Sequence, residues 1–174
     1  MKIKLFKYIV VIFFLFVISV FFIGLKKDSI YNTQGLVGQK LTEIKIDHFS
    51  KKKIINDEDL KKSKFTLINF WASWCGPCRE EHSFLIKLNE EKNLKLIGVN
   101  FKDKKNNALK FLNELGNPYD DLAKDELGKH SISFGIYGIP ESILINNNLI
   151  IIKKFVGPLN ENDLNLIKET INSK

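Results

Sequence analysis

Only two cysteines, one arginine and three histidines occur among 174 residues, and each scarcity closes off a class of function. Cys75 and Cys78 enclose two residues, so a disulfide between them removes little chain entropy, and a domain this long needs no staple. A structural zinc site needs four ligands, and neither a second cysteine pair nor a His-x-His cluster is present to complete one. Covalent haem attachment needs a histidine directly after the second cysteine, and Arg79 occupies that place. The formal charge of +7 suggests nucleic acid until it is located. Lys2, Lys4, Lys7, Lys26 and Lys27 against Asp28 supply +4 of it within residues 1–28. Elsewhere the lysines are scattered and Arg79 is the sole arginine, a solvated surface rather than a nucleic-acid stripe. No internal repeat occurs, and the Lys51–Lys53 and Asn146–Asn148 runs are too short to be low-complexity segments.

The same N-terminal lysines bracket a long apolar run. From Tyr8 to Leu25 no residue is charged, and at about 1.5 Å of rise per residue this stretch nearly matches a hydrocarbon core of roughly 30 Å. Residues 8–25 therefore predict a single helix across a lipid bilayer. Lys2, Lys4, Lys7 and the terminal amine favour a cytoplasmic N-terminus, and Lys26 and Lys27 weaken that asymmetry. A cleaved signal peptide is the competing reading. The apolar stretch is long for one, and no small-x-small cleavage site follows it. On either reading the rest of the chain is exported to an oxidising compartment. The expected organisation is an anchor over 1–28, a polar tether over 29–36 and one domain over 37–174.

Within that domain the apolar pattern alternates between strand and helix periods. Leu41–Phe49 reads as an edge strand or half a hairpin, and Asp57–Lys62 as one helical turn. Thr66–Trp71 and Leu94–Phe101 read as buried strands. Pro77 to about Lys92 and Asn106–Leu115 read as helices, the second stopped by Gly116 and Pro118. Ser142–Ile145 and Leu149–Val156 form a hairpin around the turn-prone Asn146-Asn147-Asn148, and Asn160 to about Ile171 closes the chain as a helix. The sum is an open mixed sheet with helices on both sides.

The two cysteines sit where the strand Thr66–Trp71 gives way to the helix from Pro77. A cysteine at a helix N-terminus meets unpaired backbone N–H groups and the positive end of the dipole, which favour thiolate over thiol. A second thiol one turn along resolves the mixed disulfide that the first forms. The pair therefore reads as a redox-active dithiol. Copper held by Cys75, Cys78 and His82 is the metal alternative, since Cys78 and His82 stand one turn apart; two residues between the cysteines and no evident further ligand count against it.

Trp74-Cys75-Gly76-Pro77-Cys78 at a strand-to-helix junction, with Ile139-Pro140 some sixty residues later before a strand, resembles the thioredoxin superfamily. Three stretches narrow the likeness: Trp74 to His82, Leu115-Gly116-Asn117-Pro118-Tyr119, and Gly135 to Ser142. Together with the anchor they resemble the membrane-anchored thiol:disulfide oxidoreductases of bacterial cytochrome c maturation, the DsbE/CcmG family, over roughly residues 37 to 170. Gly76-Pro77 is the pair typical of general thioredoxins, and Ser142 stands where threonine is common.

The resemblance implies an α/β thioredoxin-like fold: a mixed central sheet flanked by helices, with an N-terminal strand extension and a central insert, after one transmembrane helix. It implies a cis Pro140 beside the dithiol, with no metal and no cofactor. Cys75, exposed at the helix start, would attack a substrate disulfide and Cys78 would resolve it. Glu81 would transfer a proton or tune a thiol, the alternative being that Glu80 and Glu81 merely favour the first helical turns. Asn69 stands where general thioredoxins carry a buried aspartate, which leaves Glu81 as the acceptor. Trp74, Tyr137, Ile139, Pro140 and Glu141 would line a substrate groove, Tyr137 and Glu141 making it acidic, while Trp71 is a core residue. The implied partners are apocytochrome c or a thiol carrier protein, and a membrane-embedded thiol reductase as electron donor. The implied location is the bacterial inner membrane with the catalytic domain in the periplasm. A general membrane-tethered thioredoxin-like reductase keeps the chemistry and changes the substrate. His48, His82 and His130 are assigned no role.

Overall fold

A computed structural model of the chain describes residues 2–25 and 33–173. The chain divides into two units, Met1–Asn32 and Thr33–Lys174. In the first, α1 (Lys2–Leu25) carries apolar side chains on every face, and Phe6–Ile23 is long and apolar enough to cross a membrane. Residues 26–32, which include the end of the expected anchor and the first half of the tether, lie outside the described residues. The rest of the tether, Thr33–Leu36, is a short 3₁₀ turn, and Leu36 packs half-buried against the domain core.

The second unit contains β1 (Lys45–His48), β2 (Ile54–Asn56), α2 (Asp57–Lys61), β3 (Phe65–Trp71) and α3 (Gly76–Asn89). These are followed by β4 (Leu94–Phe101), α4 (Lys105–Leu115), β5 (Asp121–Asp125), α5 (Lys129–Ser133), β6 (Glu141–Asn146), β7 (Ile151–Val156) and α6 (Glu161–Asn172). The strands form one sheet in the order β2-β1-β5-β4-β3-β6-β7. β3 pairs parallel with β4 and β4 with β5, and the remaining pairs are antiparallel. Removing β1, β2, α2, β5 and α5 leaves the succession β-α-β-α-β-β-α, so the N-terminal extension and the central insert are visible as additions. Both join one edge, because β5 pairs with β4 on one side and with β1 on the other. Leu41–Phe49 is thus half a hairpin, as one of its two readings had it, and β2 takes the edge.

β3 is buried along its whole length, as a strand covered on both faces must be. Phe65, Leu67 and Trp71 face a core built with Leu85 and Leu88 of α3, Ala108, Phe111 and Leu112 of α4, and Leu164, Ile167 and Ile171 of α6. Ile68 and Phe70 face the other side, where Ile46, Ile55, Leu60, Phe134 and Ile136 complete a second core. The three long helices share one face, and the other is closed by the short α2 and α5 with their loops. Asn160 caps α6 through reciprocal hydrogen bonds with Asp163, which fixes the start of the last helix against α3.

Candidate active site

After Trp71 the chain turns through Ala72-Ser73-Trp74-Cys75, closed by the Cys75 N–H on the Ala72 carbonyl at 3.2 Å. Gly76 and Pro77 then open α3, a position where the missing proline donor loses no hydrogen bond. Cys75 caps the helix: its Sγ accepts from the Cys78 N–H at 3.2 Å. The two sulfurs form a disulfide with Cα atoms 5.3 Å apart. The amide aimed at Sγ stabilises negative charge there once the bond is reduced. Cys75 is less open than its place at the helix start suggested. Both cysteines are buried in the oxidised state, Cys75 at 6 % exposed and Cys78 at 2 %. Cys75 precedes the first turn of α3 as its cap, whereas Cys78 lies within that turn.

Glu81, one turn beyond Cys78, is fully buried. Its Oε1 accepts from Asn69 Nδ2 at 2.7 Å and its Oε2 from the Leu159 N–H at 2.8 Å. Burial pushes the carboxyl up to about 7, the two hydrogen bonds pull against that, and Asp163 adds to the rise. Among these groups Asn69 is central. It also donates to Ser142 Oγ at 2.9 Å and accepts from the Tyr119 hydroxyl at 2.7 Å. The antiparallel register places Asn69 opposite Ser142, which brings the hydroxyl within reach of that amide.

The segment after β4 fastens the turn before Cys75. Asp103 accepts from the Ser73 N–H at 2.7 Å and the Ser73 hydroxyl at 2.9 Å, and is held in turn by Asn100 Nδ2 and the Lys104 N–H. Trp74 Nε1 donates to the carbonyl of Lys102, whose φ of +44° turns that loop toward the dithiol. Sequence reasoning missed Asp103. The available signal was its place two residues past the end of a buried strand parallel to β3, the end of the sheet where functional loops gather.

The groove residues divide. Trp74 and Tyr137 are 60 % and 73 % exposed, Ile139 is half-buried against the core that holds both cysteines, and the Ile139–Pro140 bond is cis as the resemblance implies. Glu141 does not line the groove surface. It is buried on the opposite face of the sheet from Glu81, opposite Phe70 in the register, and its carboxylate pairs with Lys154 Nζ at 2.7 Å. Its other oxygen accepts from the N–H groups of Tyr137 and Gly138, so Glu141 holds the loop that presents Tyr137 and Ile139. Its acidity is spent on Lys154 rather than on a substrate. Replacing Lys154 with methionine is expected to cost about 3–5 kcal/mol in denaturant unfolding by stranding a buried carboxylate, and Glu141→Gln in the same chain to recover most of it.

His82 lies on the dithiol helix itself, on the buried side of α3. Its Nε2 lies 2.9 Å from the Gly116 carbonyl, its ring packs edge-on against Phe111, and burial pushes its titration down. A neutral ring donating to that carbonyl ties α3 to the segment after α4. His48 Nδ1 accepts from the N–H groups of Ser50 and Lys51 in the β1–β2 turn, and His130 lies in α5; neither belongs to the site.

A redoxin family profile matches residues 36–171. The thiol:disulfide interchange protein CycY of Rhizobium leguminosarum is 50 % identical over 97 residues, 56 % of this chain and 52 % of that protein. HelX of Rhodobacter capsulatus, another thiol:disulfide interchange protein, is 36 % identical over 127 residues, 73 % of this chain and 72 % of that one. Among solved structures, the Chlorobium tepidum chain assigned as a thiol:disulfide interchange protein DsbE superposes with a TM-score of 0.66 at 26 % identity, covering 79 % of this chain and 96 % of that one. With its dithiol at the head of α3, the chain belongs to the DsbE/CcmG branch of the redoxins, thioredoxin-like thiol:disulfide oxidoreductases.

Proposed function

We propose that this chain reduces disulfides for cytochrome c maturation, anchored by α1 in the bacterial inner membrane with its N-terminus cytoplasmic and its domain in the periplasm. The observation that carries the reading is Cys75 at the cap of α3, Cys78 within its first turn and, one turn on, a buried carboxyl that titrates near neutrality. The Cys75 thiolate attacks a substrate disulfide, forming one mixed disulfide and releasing one substrate thiolate. Cys78 gives its proton to Glu81 and attacks the Cys75 sulfur, re-forming the Cys75–Cys78 bond and releasing the second thiolate. Two electrons pass to the substrate, and a membrane-embedded thiol reductase returns them. Trp74, Tyr137, Ile139 and Pro140 flank the approach to Cys75 and receive an extended polypeptide, with Glu141 fixing the loop of Tyr137 and Ile139.

The substrate class follows the family: a Cys-x-x-Cys-His disulfide of apocytochrome c, or a thiol carrier that hands it on, since haem attaches only to free thiols. A Cys78→Ser chain expressed in the cell envelope stalls after the first attack and keeps its substrate on Cys75. Non-reducing electrophoresis and mass spectrometry are expected to recover apocytochrome c or its carrier. A broad mixture of exported proteins would point instead to a general reductase, the reading that Gly76-Pro77 suggests.

A further inference from the structure

A polar chain buried beneath the dithiol has a direction that disulfide exchange alone leaves unexplained. The Tyr119 hydroxyl donates to Asn69 Oδ1, and the other end of that amide donates to Glu81 Oε1 and to Ser142 Oγ. Tyr119 reaches this place because β4 makes room for it. A Cβ on Gly98 would fall 2.7 Å from the Tyr119 ring, and the ring instead stacks on Trp71 at 5.7 Å. The Asn117 side chain accepts from the Tyr119 N–H, and Gly116 receives His82, so the Leu115–Tyr119 segment is pinned at both ends.

We propose that Tyr119 is a positioning residue for Glu81: its hydroxyl fixes which end of the Asn69 amide faces the carboxylate, and so holds Glu81 ready to accept a proton. The proposal rests on the role given to Glu81 above. As held, the amide offers Glu81 an N–H, which an ionised carboxylate accepts. Turned end for end, it would offer an oxygen, which only a protonated carboxyl could satisfy, and would leave the Tyr119 hydroxyl hydrogen buried without an acceptor. The hydroxyl's donation to Oδ1 also polarises the amide and strengthens the N–H that Glu81 receives.

Glu81 is faced by Asn69 from β3, the Leu159 N–H from the β7–α6 loop and Asp163 from α6, with Ser142 of β6 and Tyr119 bonded to Asn69 behind it; Cys78 is on its own helix. Of these, Asn69 alone takes its orientation from Tyr119. Asp163 favours the neutral carboxyl and the two N–H donors favour the charged one.

The test uses the full chain in detergent micelles, labelled with ¹³C at the glutamate carboxyls and kept oxidised so that Cys78 does not titrate. Glu81→Gln identifies the resonance. Tyr119→Phe removes one oxygen and keeps the ring on Trp71. It is expected to raise the proton affinity of Glu81 roughly three- to tenfold, read as an upward move of the carboxyl titration midpoint. Gly98→Ala, which crowds the ring but keeps the hydroxyl, is expected to move the midpoint the same way. An unchanged or lowered midpoint in Tyr119→Phe overturns the proposal. A raised midpoint with an unchanged pH profile of disulfide exchange sustains the positioning by Tyr119 and removes Glu81 from proton transfer.

Discussion

Cys75→Ser is expected to lower the rate of protein-disulfide reduction by roughly 10³-fold or more, measured as insulin reduction with dithiothreitol as the electron source. A serine hydroxyl at the cap still receives the Cys78 N–H but is not ionised there, so the favourable end of α3 has no anion to stabilise. Cys78 does not take over, because it is buried as the third residue of α3, behind Pro77, and lacks the cap position. Cys78→Ser fails differently: the first attack proceeds and one equivalent of substrate thiol is released per chain. Residual turnover above a tenth of the native rate in Cys75→Ser would move the nucleophile to Cys78 and reverse the assigned order of attack.

The dithiol and its setting were legible because they are local. An apolar run, a Gly-Pro pair and apolar residues at helical spacing place Cys75 at a strand-to-helix junction from the sequence alone. β5 was not legible. Asp121-Leu122-Ala123-Lys124-Asp125 holds two apolar residues among three charges, and it is a strand because β4 and β1 present backbone partners on both sides. Glu141 misled for a related reason. An acidic residue beside a proline reads as surface, yet Lys154 lies opposite Ile143 on β7, diagonally across from Glu141, and register is not written in composition. Asp103 and Tyr119 reach Ser73 and Asn69 over 30 and 50 residues, contacts that exist only once β3 and β4 are paired. What is missed, then, is the second layer: groups that hold the reacting ones, supplied by chain segments remote in sequence.

Glu81→Gln tests that second layer with the sign of a pH dependence. The carboxyl ordinarily loses its proton near 4.5 when unfolded and near 7 in the folded chain, so folding favours the protonated form. Its stabilising contribution is fully present below about pH 4.5 and is lost as the pH rises through 7. Glutamine carries no such dependence. The stability of Glu81→Gln relative to the native chain is therefore expected to climb between pH 4.5 and 7 and to level off above, by about 3 kcal/mol in all. The facing amide of Asn69 mismatches a glutamine amide until one of them turns, but that penalty does not vary with pH, so the slope of denaturant midpoint against pH is the readout. The kinetic effect runs the other way. With no acceptor one turn from Cys78, resolution of the mixed disulfide is expected to slow by roughly 10²-fold at neutral pH while the first attack by Cys75 is unaffected. Equal slowing of both steps would reduce Glu81 to a packing group, whereas a lifetime of the mixed disulfide that lengthens alone identifies it as the base.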